Sequence, residues 1–469
     1  MDMDVRSVKV VTITETNLLK LISLNDDNSV LNETETIELD LGINANVDAI
    51  LHATRSTDSL ISLTLSHCNL NYIPEAFREL QLNELDLSHN SFDIVPKCII
   101  NGLECMRLLD FSYNRLTFFD EPKCFKKLRV LLINNNYFEN IPDWVLKVRS
   151  FNLQELNYSM NFIGSLKECQ FLQVPSYELR KLVLRSCTLR HEDITYLKNV
   201  KRLKHLDLSN EMNKFCNILN TCDDLFNQPR WNNTLKELHL NYLNIANLPE
   251  EISQLEALEE LHVAYNYLFW LPNTIVLLSK LRLINLSHNK LVCLPIDMYK
   301  MQNLQILELA NNCLSTISEP YPPSLILLDL YHNLIESFDL KPCEIKIDVE
   351  MNLFNTCELG EKYLDMKNSL RADLQEIRCN GQKVIERCAE EIDAISLGST
   401  SESEEDDKEC RTVERYSEES WNNNDSIELA AEGCTLSDNE WTGFEKVPVP
   451  HQRKKLIFKE IPSWMFEDV

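Results

Sequence analysis

The sequence predicts an α/β solenoid: a curved stack of short units, each giving one strand to a parallel inner sheet. A helical C-terminal cap closes it, and a disordered acidic tail follows. Three observations carry this prediction. The stretch from Leu258 to Pro295, LEELHVAYNYLFWLPNTIVLLSKLRLINLSHNKLVCLP, repeats itself after 23 residues. The same pattern recurs in both directions along the chain. Glycine is scarce, 8 of 469 residues, whereas roughly 7% is usual; phosphate-cradling and nucleophile-presenting loops need it for their backbone turns.

The repeating unit reads L-x-x-L-x-L-x-x-N-x-L. Clear copies begin at Leu60, Leu82, Met106, Leu128, Leu153, Leu179, Leu203, Leu235, Leu258, Leu281, Leu304 and Leu325. Weaker copies begin at Thr36 and Glu344. The clear copies lie 21 to 26 residues apart, with one gap of 32. Alternate leucines put one face of a short strand inward, which makes Leu85, Leu87, Leu261, Ile284 and Leu286 core. The ninth-position asparagine turns the chain, and its amide can serve the backbone groups of a buried bend. Asn90, Asn114, Asn136, Asn161, Asn266, Asn289, Asn312, Asn333 and Asn352 form that expected ladder. Cys68 and Cys187 fit the same position. Leu243 does not, so its bend should be less regular. Proline at 249, 272 and 295 opens a short helix or 3₁₀ turn back toward the next strand. No unit buries its leucines alone; stacking does.

Residues 36–355 resemble a leucine-rich repeat domain on these twelve clear copies. The 23-residue units with Leu248-Pro249, Leu271-Pro272 and Leu294-Pro295 are similar to the intracellular Ras-group class, which includes Ras-pathway scaffolds and Scribble/Erbin polarity proteins. That resemblance implies a non-enzymatic, cytoplasmic or nuclear protein-binding scaffold in signalling. Extracellular members usually carry cysteine-clustered caps, which this sequence lacks.

Residues 1–35 contain VRSVKVVTITE, a strand that suits an N-terminal cap. The long gap holds an insertion at 212–231 whose Phe215, Ile218, Leu219 and Phe226 suit one helical face. It is either packed surface or a partner-binding protrusion. Residues 356–396 are expected as a helical C-terminal cap, with Leu370, Leu374 and Ile377 on a stripe and Gly381 as a break. Residues 391–446 carry 17 acidic and 4 basic side chains. Such charge with little apolar content predicts disorder over about 397–446. There Ser399, Ser401, Ser403 and Ser437 each precede an acid by three residues, a pattern acidophilic kinases of the casein-kinase type prefer. The tail 447–469 is aromatic and basic. It either folds back or carries linear motifs: Lys455, Leu456 and Phe458 resemble a docking motif for type 1 serine/threonine phosphatases. Glu467 and Val469 resemble a PDZ ligand.

A formal charge of −27 argues against plain nucleic-acid binding and for a basic protein partner. No apolar run approaches the length of a membrane span, and no signal peptide is visible at the start. The sixteen cysteines form no C-x-x-C pair, and reduced thiols are expected. No nucleotide, hydrolase, zinc-protease or kinase motif is present, so neither catalytic nor cofactor residues are assigned. Seven histidines, at 67, 89, 205, 239, 262, 288 and 332, are expected on strand positions facing the concave surface. His239 and His262, with Glu237 and Glu260, could hold a metal or sense pH, but such residues are ordinary filler of this repeat, and no metal ligand is assigned. The concave face is expected to be acidic, with Glu38, Asp40, Glu84, Asp86, Asp110, Glu155, Asp207 and Asp348 among its carboxylates. The partner-binding patch is predicted on the most regular units: Glu237, His239, Tyr242, Glu260, His262, Tyr265, His288, Glu308, Asp329 and Tyr331. Two rival functions are a phosphatase regulatory subunit acting through the tail and a cytoskeletal linker.

Overall fold

Fifteen strands form one parallel sheet whose order follows the chain. They are β1 Val10–Thr14, β2 Thr36–Asp40, β3 Ser62–Thr64, β4 Glu84–Asp86, β5 Leu108–Asp110, β6 Val130–Leu132, β7 Glu155–Asn157 and β8 Lys181–Val183. The series continues with β9 His205–Asp207, β10 Glu237–His239, β11 Glu260–His262, β12 Leu283–Asn285, β13 Ile306–Glu308, β14 Leu327–Asp329 and β15 Lys346–Asp348. The computed structural model describes residues 10–14, 36–40 and 60–378, apart from 124, 147–152, 165, 167–177, 198–199, 213–216, 220–222, 227–230, 318, 340–344 and 376–377. The chain divides into Met1–Cys388 and Ala389–Val469. The second unit, with the expected acidic tail, the four candidate phosphoserines and both tail motifs, lies outside the described residues.

From β3 to β15 the central residue of each three-residue strand is Leu or Ile and at most 2% exposed. The expected core residues Leu85, Leu87, Leu261, Ile284 and Leu286 are all fully buried. Strand β1 pairs with β2 from Val10↔Thr36 to Thr14↔Asp40, so the sheet begins one strand before the first repeat.

The asparagine ladder binds consecutive units. Asn289 shows the pattern: its Nδ2 donates to Val263 O at 2.9 Å in the preceding unit and to Leu286 O at 3.0 Å in its own. Its Oδ1 accepts from Leu268 N at 3.0 Å. The residue before the ladder position turns left-handed in nearly every unit, from His67 (φ 58°) to Met351 (φ 61°). Where asparagine is missing, at Cys68, Cys187 and Leu243, a second left-handed residue follows: Asn69, Thr188 and Asn244. The bend at Leu243 is thus less regular, and the cysteine units share its departure.

Return segments start as the prolines dictate. Pro74, Pro249, Pro272 and Pro295 each accept from the amide three residues on, at 3.0–3.1 Å, and open 3₁₀ turns that bury Phe77, Ile252, Ile275 and Met298. Pro96 opens helix α1, Lys97–Gly102. Gly102 is needed there because a Cβ would lie 2.3 Å from that of Arg78. Helix α2, His191–Leu197, backs the unit of β8.

The described part of the insertion buries some side chains and exposes others. Ile218, expected on a helical face, is 57% exposed and bridges Arg190 as an isolated strand pair; Phe215 lies outside the described residues. Among the described residues of the insertion, Asp223–Phe226 form helix α3. Leu219, Leu225, Phe226 and Trp231 are buried, and the Trp231 indole donates to Val200 O at 2.7 Å. Asn217 replaces the missing ladder residue of the Leu203 unit, where the template position holds Glu211. Its Nδ2 donates to Leu184 O and Leu208 O, both at 2.9 Å, and its Oδ1 accepts from Cys187 N and Leu189 N. Asn210 clasps it, accepting from Asn217 N at 2.8 Å and donating to Asn217 O at 3.0 Å.

At the C-terminal end helix α4, Gly360–Leu374, lies against β15. Tyr363 and Leu370 are buried beneath it. The helix stops at Gln375, which is left-handed (φ 56°), earlier than the expected break at Gly381. Ile377 and Gly381 lie outside the described residues.

Candidate functional site

Parallel strands in register bring the same position of successive units close together, so side chains on the open face form rows. Strand positions give one row. His239 and His262 stand opposite each other on β10 and β11, with ring centroids 4.2 Å apart, and His205 on β9, opposite Glu237, lies diagonally 4.9 Å from His239. Glu237 Oε2 lies 2.5 Å from His205 Nδ1, and Glu260 Oε2 lies 3.7 Å from His262 Nε2. On β12 and β13, Asn285 donates to Glu308 at 2.8 Å.

Turn positions give a second row. Tyr242, Tyr265 and His288 all occupy left-handed bends (φ 56–59°). Their rings stack at 4.2 and 3.9 Å, within 11° of parallel. Such offset stacking of neighbouring rings is favourable. A copy nearer the N-terminus comprises His67, His89 and Tyr113, both steps at 4.1 Å. Comparing the eighth residue of each unit would have revealed these rows. The histidines at 67, 89, 288 and 332 are therefore on turns, not strands: each left-handed residue lies three positions after the last residue of its strand.

The expected patch loses its C-terminal end. Asp329 and Asp348 are completely buried. Arg378 makes a two-pronged pair with Asp329, both contacts 2.8 Å. Arg371 Nε donates to Asp348 at 2.7 Å. Both guanidinium groups lie over the Tyr331 ring, 5.6 Å away for Arg371 and 5.0 Å for Arg378. Buried Lys367 pairs with Glu350 at 2.7 Å. The cap occupies what a partner was expected to touch, so Asp329 and Tyr331 are not part of an open patch.

Most strand-end aspartates are likewise structural. Asp86, Asp110, Asp207, Asp329 and Asp348 each accept from the backbone amide two residues later, at 2.7–3.2 Å. Burial and nearby Asp86 push the Asp110 carboxyl up to about 6. Glu155 is paired with Lys181 at 2.8 Å. The freer charges are Glu237 and Glu260, with side chains 42% and 41% exposed. The side chains of Glu38 and Asp40 lie outside the described residues.

Two imidazoles of these rows are held neutral. Burial first, then His262 and His205, pull His239 down to about 3, against the partial opposition of Glu237 and Glu260. Burial, with His332 and Arg378, pulls His288 down to about 4. Unfolded, both take a proton near pH 6.5, so below that pH the unfolded chain binds more protons than the fold. Stability from these two groups is present above pH 6.5 and is lost as pH falls toward 4. The melting temperature should drop over that interval, and drop less steeply in a His239→Gln, His288→Gln variant. Equal slopes in a thermal melt series would refute this role.

Among the described residues the cysteines at 68, 98, 105, 187, 293, 313 and 357 are free thiols. No helix among those residues is long and apolar enough to cross a membrane.

The units at 59–80 and 81–102 match the family model for the Leucine Rich Repeat. Similar solved structures include a leucine-rich repeat protein of Leptospira interrogans, 22% identical over 74% of this chain and 90% of that one, with a TM-score of 0.46. An internalin of Listeria monocytogenes is 17% identical over 62% of this chain and 81% of its own, with a TM-score of 0.47. The Toll–Spatzle complex from Drosophila aligns at 19% identity over 70% of this chain and 54% of that one, with a TM-score of 0.42. No curated protein matches the sequence. The matched pattern continues from Leu60 to Asn352 with one in-register strand per unit, and these residues fold as a leucine-rich repeat solenoid.

Proposed function

We propose that this chain is an intracellular, non-catalytic scaffold of the Ras-group type that binds a basic protein surface in signalling. The partner sits on the open face from β9 to β13. One observation carries this reading: the stacked Tyr242–Tyr265–His288 row stands beside the accessible Glu237 and Glu260, whereas the next two strands are covered by the chain's own cap. Rigid aromatic rings are the anchors that binding surfaces favour. Carboxylates alongside orient a basic partner and speed its approach.

The test is affinity capture with the full chain, followed by binding kinetics for each partner recovered. Tyr242→Ala with Tyr265→Ala should weaken binding about tenfold or more, mainly through faster dissociation. Glu260→Arg with Glu308→Arg should slow association and flatten its salt dependence. Unchanged affinity in a folded quadruple variant would move the binding surface off this face. Capture that depends instead on Leu456 and Phe458 would favour a phosphatase subunit, and cosedimentation with filaments would favour a linker.

A further inference from the structure

We propose that His205, Glu237 and His239 form a binding site for a divalent transition-metal ion of the Zn²⁺ class. Their donor atoms all lie within 4.8 Å of one another. The three residues come from adjacent strands whose register is fixed: Glu237 stands opposite His205 on β9, and His239 is two residues along β10 on the same face. All three side chains are partly buried, so their rotamers are restricted while one side stays open to solvent. Two imidazoles and one carboxylate are a recurrent ligand set for zinc with an open fourth position. Nitrogen donors favour zinc, copper or nickel over calcium and magnesium, which prefer all-oxygen shells.

The geometry needs little adjustment. Zinc bonds of about 2.0–2.2 Å place tetrahedral donors roughly 3.3 Å apart. The His205–Glu237 contact at 2.5 Å opens by less than about 1 Å, and His239 closes from its present separation. Stacking of His262 against His239, 4.2 Å between centroids and 9° from parallel, holds that ring in its plane. The nearby cations are already paired: Lys181, opposite His205 on β8, contacts Glu155 at 2.8 Å, and Arg185 lies 3.6 Å from Asp207. The ion would replace the His205–Glu237 hydrogen bond and leave its fourth position facing solvent.

This inference does not rest on the partner-binding reading, because every ligand belongs to this chain. The probe is Zn²⁺ alone, titrated into the full chain with histidine imidazole NMR as the readout, since thiols elsewhere can also take up zinc. Two imidazole signals should shift saturably, and His205→Gln and His239→Gln should each abolish the shift of the remaining partner. Glu237→Gln, at a residue exposed enough to leave the fold intact, should raise the dissociation constant about tenfold or more. His67→Gln should change nothing. Imidazole signals that stay put in excess Zn²⁺, or an unaltered titration in Glu237→Gln, would overturn the site.

Discussion

Replacing Asn289 with alanine should cost the repeat domain on the order of 1–3 kcal/mol, seen as a lower denaturation midpoint. The side chain serves the carbonyls of Val263 and Leu286 and the amide of Leu268, with a weaker contact to Ser287 O at 3.4 Å. Asn289 is 7% exposed, so water cannot fully replace it. Each buried group left without a partner costs about 1–3 kcal/mol. Leucine at the same site should be nearly as damaging, although Leu243 occupies the equivalent position naturally. The difference is in the neighbours: Asn217 already serves the carbonyl of Leu208, and Asn210 that of Tyr242. Around Asn289 the two carbonyls keep a second donor, Asn266 Nδ2 on Val263 O at 3.1 Å and Asn312 Nδ2 on Leu286 O at 3.0 Å, so the Leu268 amide is the group that the change strands. Hydrogen exchange should show the Leu268 amide losing protection first. A variant as stable as the parent would mean that the ladder only marks the bend.

The second large effect concerns the cap. Arg378→Ala should destabilise the C-terminal units by about 3–5 kcal/mol, because it strands a buried carboxylate. Asp329 would keep only its own turn, and Asp348 would lose a further contact at 3.4 Å. Arg371→Ala should behave similarly through Asp348. Removing both charges tests the cause: Arg378→Met with Asp329→Asn should recover most of the loss, since a pair replaced as a whole is often near neutral. Exchange protection at β14 and β15 reports the change locally. If the double variant were as unstable as Arg378→Ala, packing of the arginine stem, not charge, would hold the cap.

How much of this was legible follows from period. Leucines and asparagines repeat at fixed offsets, so Leu261 and Asn289 could be placed from sequence. Asn217 could not, because the insertion moves it six residues past Glu211 and out of the template. Arg371 and Arg378 follow the last repeat, and no periodicity says which carboxylates they reach. The expected patch was therefore drawn one strand too far, through Asp329 and Tyr331 of the β14 unit. Its aromatic members Tyr242, Tyr265 and His288 are on the bend, where a strand alternation does not reach.

That bend has an evolutionary consequence. A left-handed conformation penalises most L-residues, so each ring at Tyr242, Tyr265 and His288 is held against a local preference. Exchange for asparagine or glycine would relax the backbone while shortening the ring row. The leucine seam and the ladder allow almost no such freedom, because each serves a neighbouring unit. Natural variation can therefore change the side chains that this face presents, one unit at a time, without renegotiating the fold beneath it.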